Sequence, residues 1–439
     1  MVLVMSNFII NWWRSQQFKS ALCRGDTQSA IKILQAIQKS GASFSWLEKL
    51  FRDKLQLERT SQENKREIAN FKKQITEATE SKSNLLLKPN TEFIKYIYQT
   101  FELVDHDEYK LQVTGIDQSI FNDFEVALFT YLQEEFSKIN EQKLIISLKD
   151  AFDDINGLKV GKDPEYSLNL TPHVYFMKYF LGNVYCLYLS WFLIYQNELL
   201  PTKLNILDIA AGPGTTAYGL ALFLQSYSSF FSIPQMHVSY YSFEKQDTFQ
   251  YRGLQFWRKY IESQINPINN YFRFVTADIF SSEEKYSNIP KNFFNFIVIS
   301  HCFFADDSKR IKANNIYKKI FTNSLSSQGY VMLIIQDKKL FKTYNTYRVE
   351  DKEQEKNVVY KFVEELGLKL VWYKYLTSTG LRKGYTHTID FAKFARENLP
   401  KQVYISAILK KYFDQNYESS YTLDDYVILA KKTGIDCNL

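Results

Sequence analysis

Residues 204–220, Leu-Asn-Ile-Leu-Asp-Ile-Ala-Ala-Gly-Pro-Gly-Thr-Thr-Ala-Tyr-Gly-Leu, constrain the fold more than any other stretch of this chain. Leu204, Ile206, Leu207 and Ile209 form an apolar run that reads as a buried parallel strand. The run ends in the tight turn Gly212-Pro213-Gly214. Ala217, Leu220, Leu222 and Phe223 then fall at helical spacing, with Thr215 or Thr216 expected as the cap. Strand, glycine turn and helix in that order make the ligand-facing corner of a doubly wound α/β unit. Gly214 has no Cβ, so a ligand is expected to lie against its backbone. Asp208 and Ala210 lie at the end of the strand, where a carboxylate can accept hydrogen bonds from a ligand.

Gly212-x-Gly214-x-x-Ala217 also satisfies the dinucleotide fingerprint, so NAD has to be weighed against S-adenosylmethionine (SAM). Asp208 lies inside the motif strand, before the first glycine. A dinucleotide site does not require an acid there, whereas an ammonium group needs a nearby acceptor. A dinucleotide site also expects its ribose-binding acid about 20 residues on. Here the next strand-terminal acid is Glu244, well beyond that span, after His237-Val-Ser-Tyr-Tyr-Ser-Phe243. Both features favour SAM.

Further strands follow in order: Phe272–Ala277 ending at Asp278, Phe293–Ser300 ending at His301 and Cys302, and Gly329–Ile335 after a helical run over 312–325. Leu368–Tyr375 and Tyr426–Ala430 read as the sixth and seventh. Strands alternating with helical patterns predict a parallel α/β sheet with right-handed crossovers.

With these motifs in place, residues 165–435 resemble the class I SAM-dependent methyltransferases. The resemblance implies a seven-stranded Rossmann-like sheet whose last strand is antiparallel, with SAM as cofactor. It implies Asp208, Ala210, Gly212 and Gly214 around the methionine end, and Glu244 on the ribose hydroxyls. It also implies Asp278 near the adenine amino group, Ile279 or Phe280 against the ring, and Ser300–Phe303 facing the methyl group. A narrower similarity, to the methyltransferase-like assembly factors of the small ribosomal subunit, rests on the aromatic run Thr171–Asn183 preceding the glycine motif. Those proteins carry a cysteine cluster that is missing here, so only the fold and the SAM site are carried over.

His301 and Cys302 follow the fourth strand, and His301 is the catalytic candidate; its alternative is a structural histidine. Glu244 and Asp278 have solvated loop acids as their alternative. Tyr175 and Tyr179 can cover the cofactor but read first as core. No Asn-Pro-Pro-Tyr-like motif, Pro-Cys nucleophile or metal-ligand spacing occurs, so the methyl acceptor stays open. Protein, RNA and small molecules all remain candidates.

At 439 residues, with 45% hydrophobic and 16% aromatic residues, the chain can bury an ample core. A net charge of +6 permits a nucleic-acid partner without requiring one. The four cysteines (Cys23, Cys186, Cys302, Cys437) are scattered, which with no secretory leader predicts a cytoplasmic protein. Tyr179–Tyr195 lacks charge and approaches membrane-spanning length, but Asn183 and Ser190 interrupt it. It reads as a buried helix over the cofactor cleft, and no transmembrane segment is expected.

Three parts are expected: a helical extension over 1–88, a helical linker or cap over 89–164, and the methyltransferase domain over 165–439. In the extension, Asp26 is positioned to cap a helix, and Ser45-x-x-Glu48 is a capping box. Residues 56–82 are highly charged, with a thin seam of Ile68, Phe71, Ile75 and Ala78. They predict a protruding helix suited to a coiled coil and to self-association. An insert at 376–422 separates the last two strands and reads as a functional decoration.

Overall fold

The computed structural model describes residues 13–21, 26–40, 86–157, 166, 168–231, 236–264, 269–280, 289–304, 306–346, 351–381, 388–413 and 418–433. The chain divides into two compact units, Met1–Ser83 and Asn84–Leu439. In the first, α1 (Thr27–Lys39) opens at Asp26, whose carboxylate accepts the Ser29 amide at 3.0 Å, as expected of that cap. Phe18, Ala21, Ala30 and Leu34 are buried together there. The 45–48 capping box and the proposed coiled coil over 56–82 lie outside the described residues.

The second unit holds one nine-stranded sheet. Helix α2 (Thr91–Thr100) precedes β1 (Leu103–Asp105) and β2 (Lys110–Val113), and α3 (Gln118–Phe136) and α4 (Glu141–Asn156) follow. Next come α5 (Thr171–Tyr175), a single π-helical turn (Phe176–Phe180) and α6 (Leu181–Gln196). The alternating part runs β3 (Lys203–Ile209), α7 (Thr215–Ser228), β4 (His237–Glu244), α8 (Asp247–Tyr260), β5 (Asn269–Thr276), β6 (Phe294–Ser300), α9 (Asp307–Ser324) and β7 (Leu325–Gln336). After it come α10 (Asp337–Thr343), α11 (Lys352–Glu365), β8 (Leu368–Thr377), α12 (Thr388–Asn398), α13 (Val403–Phe413) and β9 (Asp424–Lys432).

The strand order is β1-β2-β8-β9-β7-β6-β3-β4-β5. Strands β5, β4, β3, β6 and β7 are mutually parallel, and β9 runs antiparallel between β7 and β8. The antiparallel seventh strand of the expected sheet is therefore present. The count of seven is corrected to nine. Lys110, Leu111 and Gln112 of β2 pair in parallel with Tyr375, Leu376 and Thr377, and β1 folds back antiparallel on β2. This pairing gives the backbone of β8 a partner along part of an edge that would otherwise lie open.

Both faces of the sheet are covered, and side-chain alternation sorts the strand residues between them. Ile206, Val298, Met332 and Ile334 join one apolar cluster with α6 and α7. Leu207, Ile297, Ile299, Leu333 and Ile335 join another with α9 and α11. Helix α6 is buried from Leu181 to Tyr195 except at its second and third residues, which explains its uniformly apolar sequence. Among the described residues, no helix is long and apolar enough to cross a membrane. The insert between β8 and β9 is more than a surface decoration: Ile405, Ile408 and Leu409 of α13 lie in the same cluster as α6.

Candidate functional site

The strand order reverses between β3 and β6, since the chain goes outward from β3 to β4 and β5 before returning to β6. Ligands of open α/β sheets bind at such a switch point, outside the carboxyl ends of the strands. Six of the nine sequence-predicted residues lie near the end of one of these two strands or directly after it, Glu244 ends β4, and Asp278 and Ile279 follow β5.

The turn after β3 is built by backbone conformation. Ala210 has φ +56°, Gly212 +54° and Gly214 +85°, and the Ala210 amide donates to the Phe243 carbonyl at 2.7 Å. Gly214 is itself the N-cap of α7, with no side-chain capping bond, which corrects the expectation of Thr215 or Thr216. A left-handed residue turns the chain sharply enough that the helix starts at once, and glycine adopts it at least cost. The open backbone is also not where expected. A Cβ on Gly214 would sit 3.6 Å from the Tyr240 hydroxyl, whereas one on Gly212 would meet nothing within 4 Å. A ligand can therefore approach Gly212 directly. On the far side, a Cβ on Gly253 of α8 would lie 2.1 Å from the Pro213 carbonyl oxygen. Only glycine permits α8 to press on the turn. Gly212, Pro213, Gly214, Tyr240, Gln250 and Trp257 help line the narrow cavity of about 10 Å³ left between them.

Glu244, at the end of β4, ties the turn to the next strand. One carboxylate oxygen accepts the Gly212 amide at 2.8 Å, and the other accepts the Gln246 amide at 3.0 Å. Burial pushes its pKa up, and these amides oppose the shift. Asp208 is fully buried and accepts a hydrogen bond from the Tyr240 hydroxyl. Burial raises its carboxyl to about 7 against the pull of the Tyr240 and Thr216 hydroxyls. Asp278 is half-buried after β5, accepts the Phe280 amide at 2.9 Å and pairs with Lys245 at 3.3 Å; Ile279 beside it is buried.

Across the switch point, Ser300 ends β6 with its hydroxyl oxygen buried and unpartnered. His301 follows with φ +59°, its amide donating to the Ile334 carbonyl at 2.8 Å. Non-glycine residues pay on the order of 1–3 kcal/mol for such backbone, which gathers at functional sites. Ala210 and His301 place two of them on adjacent strand ends. Cys302 accepts a hydrogen bond from the Tyr317 hydroxyl at its carbonyl, 2.9 Å away.

Two further residues at the site, Asp425 and Tyr240, carry no signal in the sequence. Asp425, in β9, lies 3.7 Å from His301 Nδ1. Tyr240 occupies an ordinary inward position of β4, and nothing in its strand sets it apart. Tyr175 and Tyr179, expected as core, are half-buried, and the carboxylates of Glu244 and Asp208 lie close enough to Tyr175 to help raise its pKa after burial itself. The Thr171–Asn183 run therefore reaches the crevice, with Asn183 Nδ2 donating to the Tyr175 hydroxyl at 2.8 Å. Lys309, Lys312, Lys410 and Lys411 are exposed, and Lys312 Nζ lies 5.3 Å from the centre of the Phe280 ring. Among the described residues, no group of three His, Cys, Asp or Glu side chains is gathered as a metal site requires.

The solved structures this chain is similar to include SAM-dependent methyltransferases. A Methanosarcina mazei enzyme of that class shares 13% identity over 54% of this chain and 96% of its own, with a TM-score of 0.31. A TehB-like enzyme from Corynebacterium glutamicum shares 13% over 65% and 97%, with a TM-score of 0.28. Loganic acid methyltransferase shares 11% over 62% and 97%, with a TM-score of 0.30. No family profile and no curated protein matches the chain.

Proposed function

We propose that the crevice at the β3/β6 switch point binds SAM and that the chain transfers its methyl group to an acceptor by direct displacement. The observation that carries this reading is Glu244 clamped on the Gly212 amide, beside a glycine face with nothing in front of it. The unpartnered buried hydroxyl of Ser300 also fits a ligand at this edge. Glu244 would hold the ribose hydroxyls, and Asp278 and Ile279 the adenine. Asp208, Ala210, Gly212, Gly214 and Ser300 would surround the methionine end. Bound SAM supplies a methyl group already activated on a sulfonium. The chain's remaining task is to align a nucleophile in line with it and to exclude water.

Calorimetry with SAM, S-adenosylhomocysteine and NAD tests the assignment. Binding of the first two without NAD is expected; NAD alone would overturn it. A second reading is a SAM-binding assembly or scaffold protein, RNA- or ribosome-associated, that transfers nothing. It draws support from the elaboration of the fold, with β1 and β2 added beyond β8 and α13 packed against α3 and α4. Radiolabelled-methyl transfer to material captured with the native protein separates the two.

A further inference from the structure

This inference rests on the SAM reading above and specifies its acceptor. We propose that His301 and Asp425 form an imidazole–carboxylate pair that removes the proton from a hydroxyl-bearing methyl acceptor.

The pair is assembled by topology. Because β9 runs antiparallel to its neighbours, its first residues arrive at the sheet edge where the parallel strands end. Asp425 of β9 pairs with Gln336, just past Ile334, whose carbonyl receives the His301 amide. The left-handed backbone at His301 belongs to the same placement. His301 Nδ1 and Asp425 Oδ1 are 3.7 Å apart; both atoms are buried, and neither has a hydrogen-bond partner. Catalytic contacts of this length are common without substrate and tighten when it binds. The ring keeps 21% of its surface exposed, and Nε2 has no hydrogen-bond partner among the described residues. Nδ1 thus faces a carboxyl group while Nε2 stays available.

The surroundings favour a neutral ring. Burial, helped by Lys339 of α10, pushes His301 down to about 4. Burial, helped by Asp424, pushes Asp425 up to about 7. Cys186 of α6 also lies within electrostatic reach of Asp425. The Asp424 carboxylate is itself engaged by the Tyr375 hydroxyl. Once Asp425 is ionised, above about pH 7, a neutral imidazole with Nδ1–H directed at its carboxylate presents a free lone pair at Nε2, as a general base must.

A neutral amine needs no base to attack a sulfonium methyl, but a hydroxyl does. In the proposed step the acceptor O–H proton moves to Nε2 and the oxygen forms a bond to the methyl carbon. The carbon–sulfur bond breaks with its electron pair retained on sulfur, leaving a neutral thioether. The imidazolium is held by Asp425 until it loses its proton to water.

The first test needs no cofactor: 15N NMR of the imidazoles in the full chain. His301 is expected as the neutral Nδ1–H tautomer at about pH 8.5, where Asp425 is ionised, and Asp425→Asn should shift it towards Nε2–H. A wild-type Nε2–H tautomer, or one indifferent to Asp425→Asn, overturns the pair. The second test measures SAM affinity by calorimetry and then initial rates on a panel of small alcohols, phenols and amines. His301→Gln should leave SAM affinity within about twofold and lower hydroxyl methylation on the order of 10²–10⁴-fold. Transfer to amines alone, or an undiminished rate in His301→Gln, overturns the proposal. Absence of SAM binding in the wild type would instead sink the cofactor reading, and the tautomer measurement would still decide the pair.

Discussion

Asp208 and Glu244 share an edge of the sheet but are held differently, and their substitutions should separate stability from binding. Asp208 is buried with its carboxyl raised to about 7 by desolvation. A folded pKa above the unfolded one means the folded state holds its proton more tightly. Stability from this group is complete below about pH 4 and is lost as the pH rises through about 7. Asp208→Asn keeps an acceptor for the Tyr240 hydroxyl and removes the charge. It should be more stable than wild type at pH 8, by up to about 4 kcal/mol, and equal to it near pH 4. Urea unfolding at both pH values reads this; a difference independent of pH would show that ionisation is not the cause. Glu244 instead spends both oxygens on backbone amides. Glu244→Ala should weaken SAM binding about tenfold to several hundredfold, at about 1.5–3 kcal/mol per charge-assisted bond. Glu244→Gln, which retains one acceptor, should lose less. An unchanged dissociation constant in folded Glu244→Ala would remove this residue from the site.

At the scale of elements, one helix start depends on a residue far away in sequence. Glu125 of α3 is 1% exposed, and one of its oxygens accepts the amides of Tyr404 at 2.7 Å and Ile405 at 2.9 Å. These are first-turn amides of α13, so Glu125 caps a helix that is not its own. Glu125→Ala would leave both amides without this acceptor and should cost about 2–4 kcal/mol, with Glu125→Gln in between. Denaturant unfolding and hydrogen exchange within α13 measure this; normal protection of 404–409 in the alanine variant would refute the cap. Glu125 also shows where the sequence stops being informative. An acid inside an amphipathic helix reads as solvated, and only the packing of α13 on α3 makes it a cap. Asp425 is hidden in the same way, as one of two acids opening a strand. The strands β3, β4, β6 and β7 were legible because burial on both faces leaves continuous apolar runs. The place of the added strands in the sheet was not: β1 buries only Leu103, and β2 finds its partner β8 far along the chain. The Gly212-Pro213-Gly214 run marks a turn in sequence, but which glycine faces outward depends on Tyr240, across the β3–β4 pairing.

For the whole molecule, the question is what the N-terminal unit contributes. The unit Asn84–Leu439 holds all nine strands, both large apolar clusters and every candidate site residue. The described part of the other unit has its own small buried group at Phe18, Ala21, Ala30 and Leu34. A core that closes within one unit can fold without the other. Residues 84–439 expressed alone should therefore unfold cooperatively and bind SAM within about twofold of the full chain, an energy difference below about 0.5 kcal/mol. If affinity instead falls more than tenfold, or the fragment does not fold, the first unit completes the core. Retained affinity with lost capture of a native partner, or lost transfer to its acceptor, would place recognition in 1–83. The charged stretch 56–82 would then be the first segment to delete, since its sequence is rich in charge and sparse in apolar residues. Separating the cofactor site from the partner-selecting surface in this way is what the fold allows, because additions outside the sheet can vary without moving the strand ends that hold Gly212, Glu244 and His301.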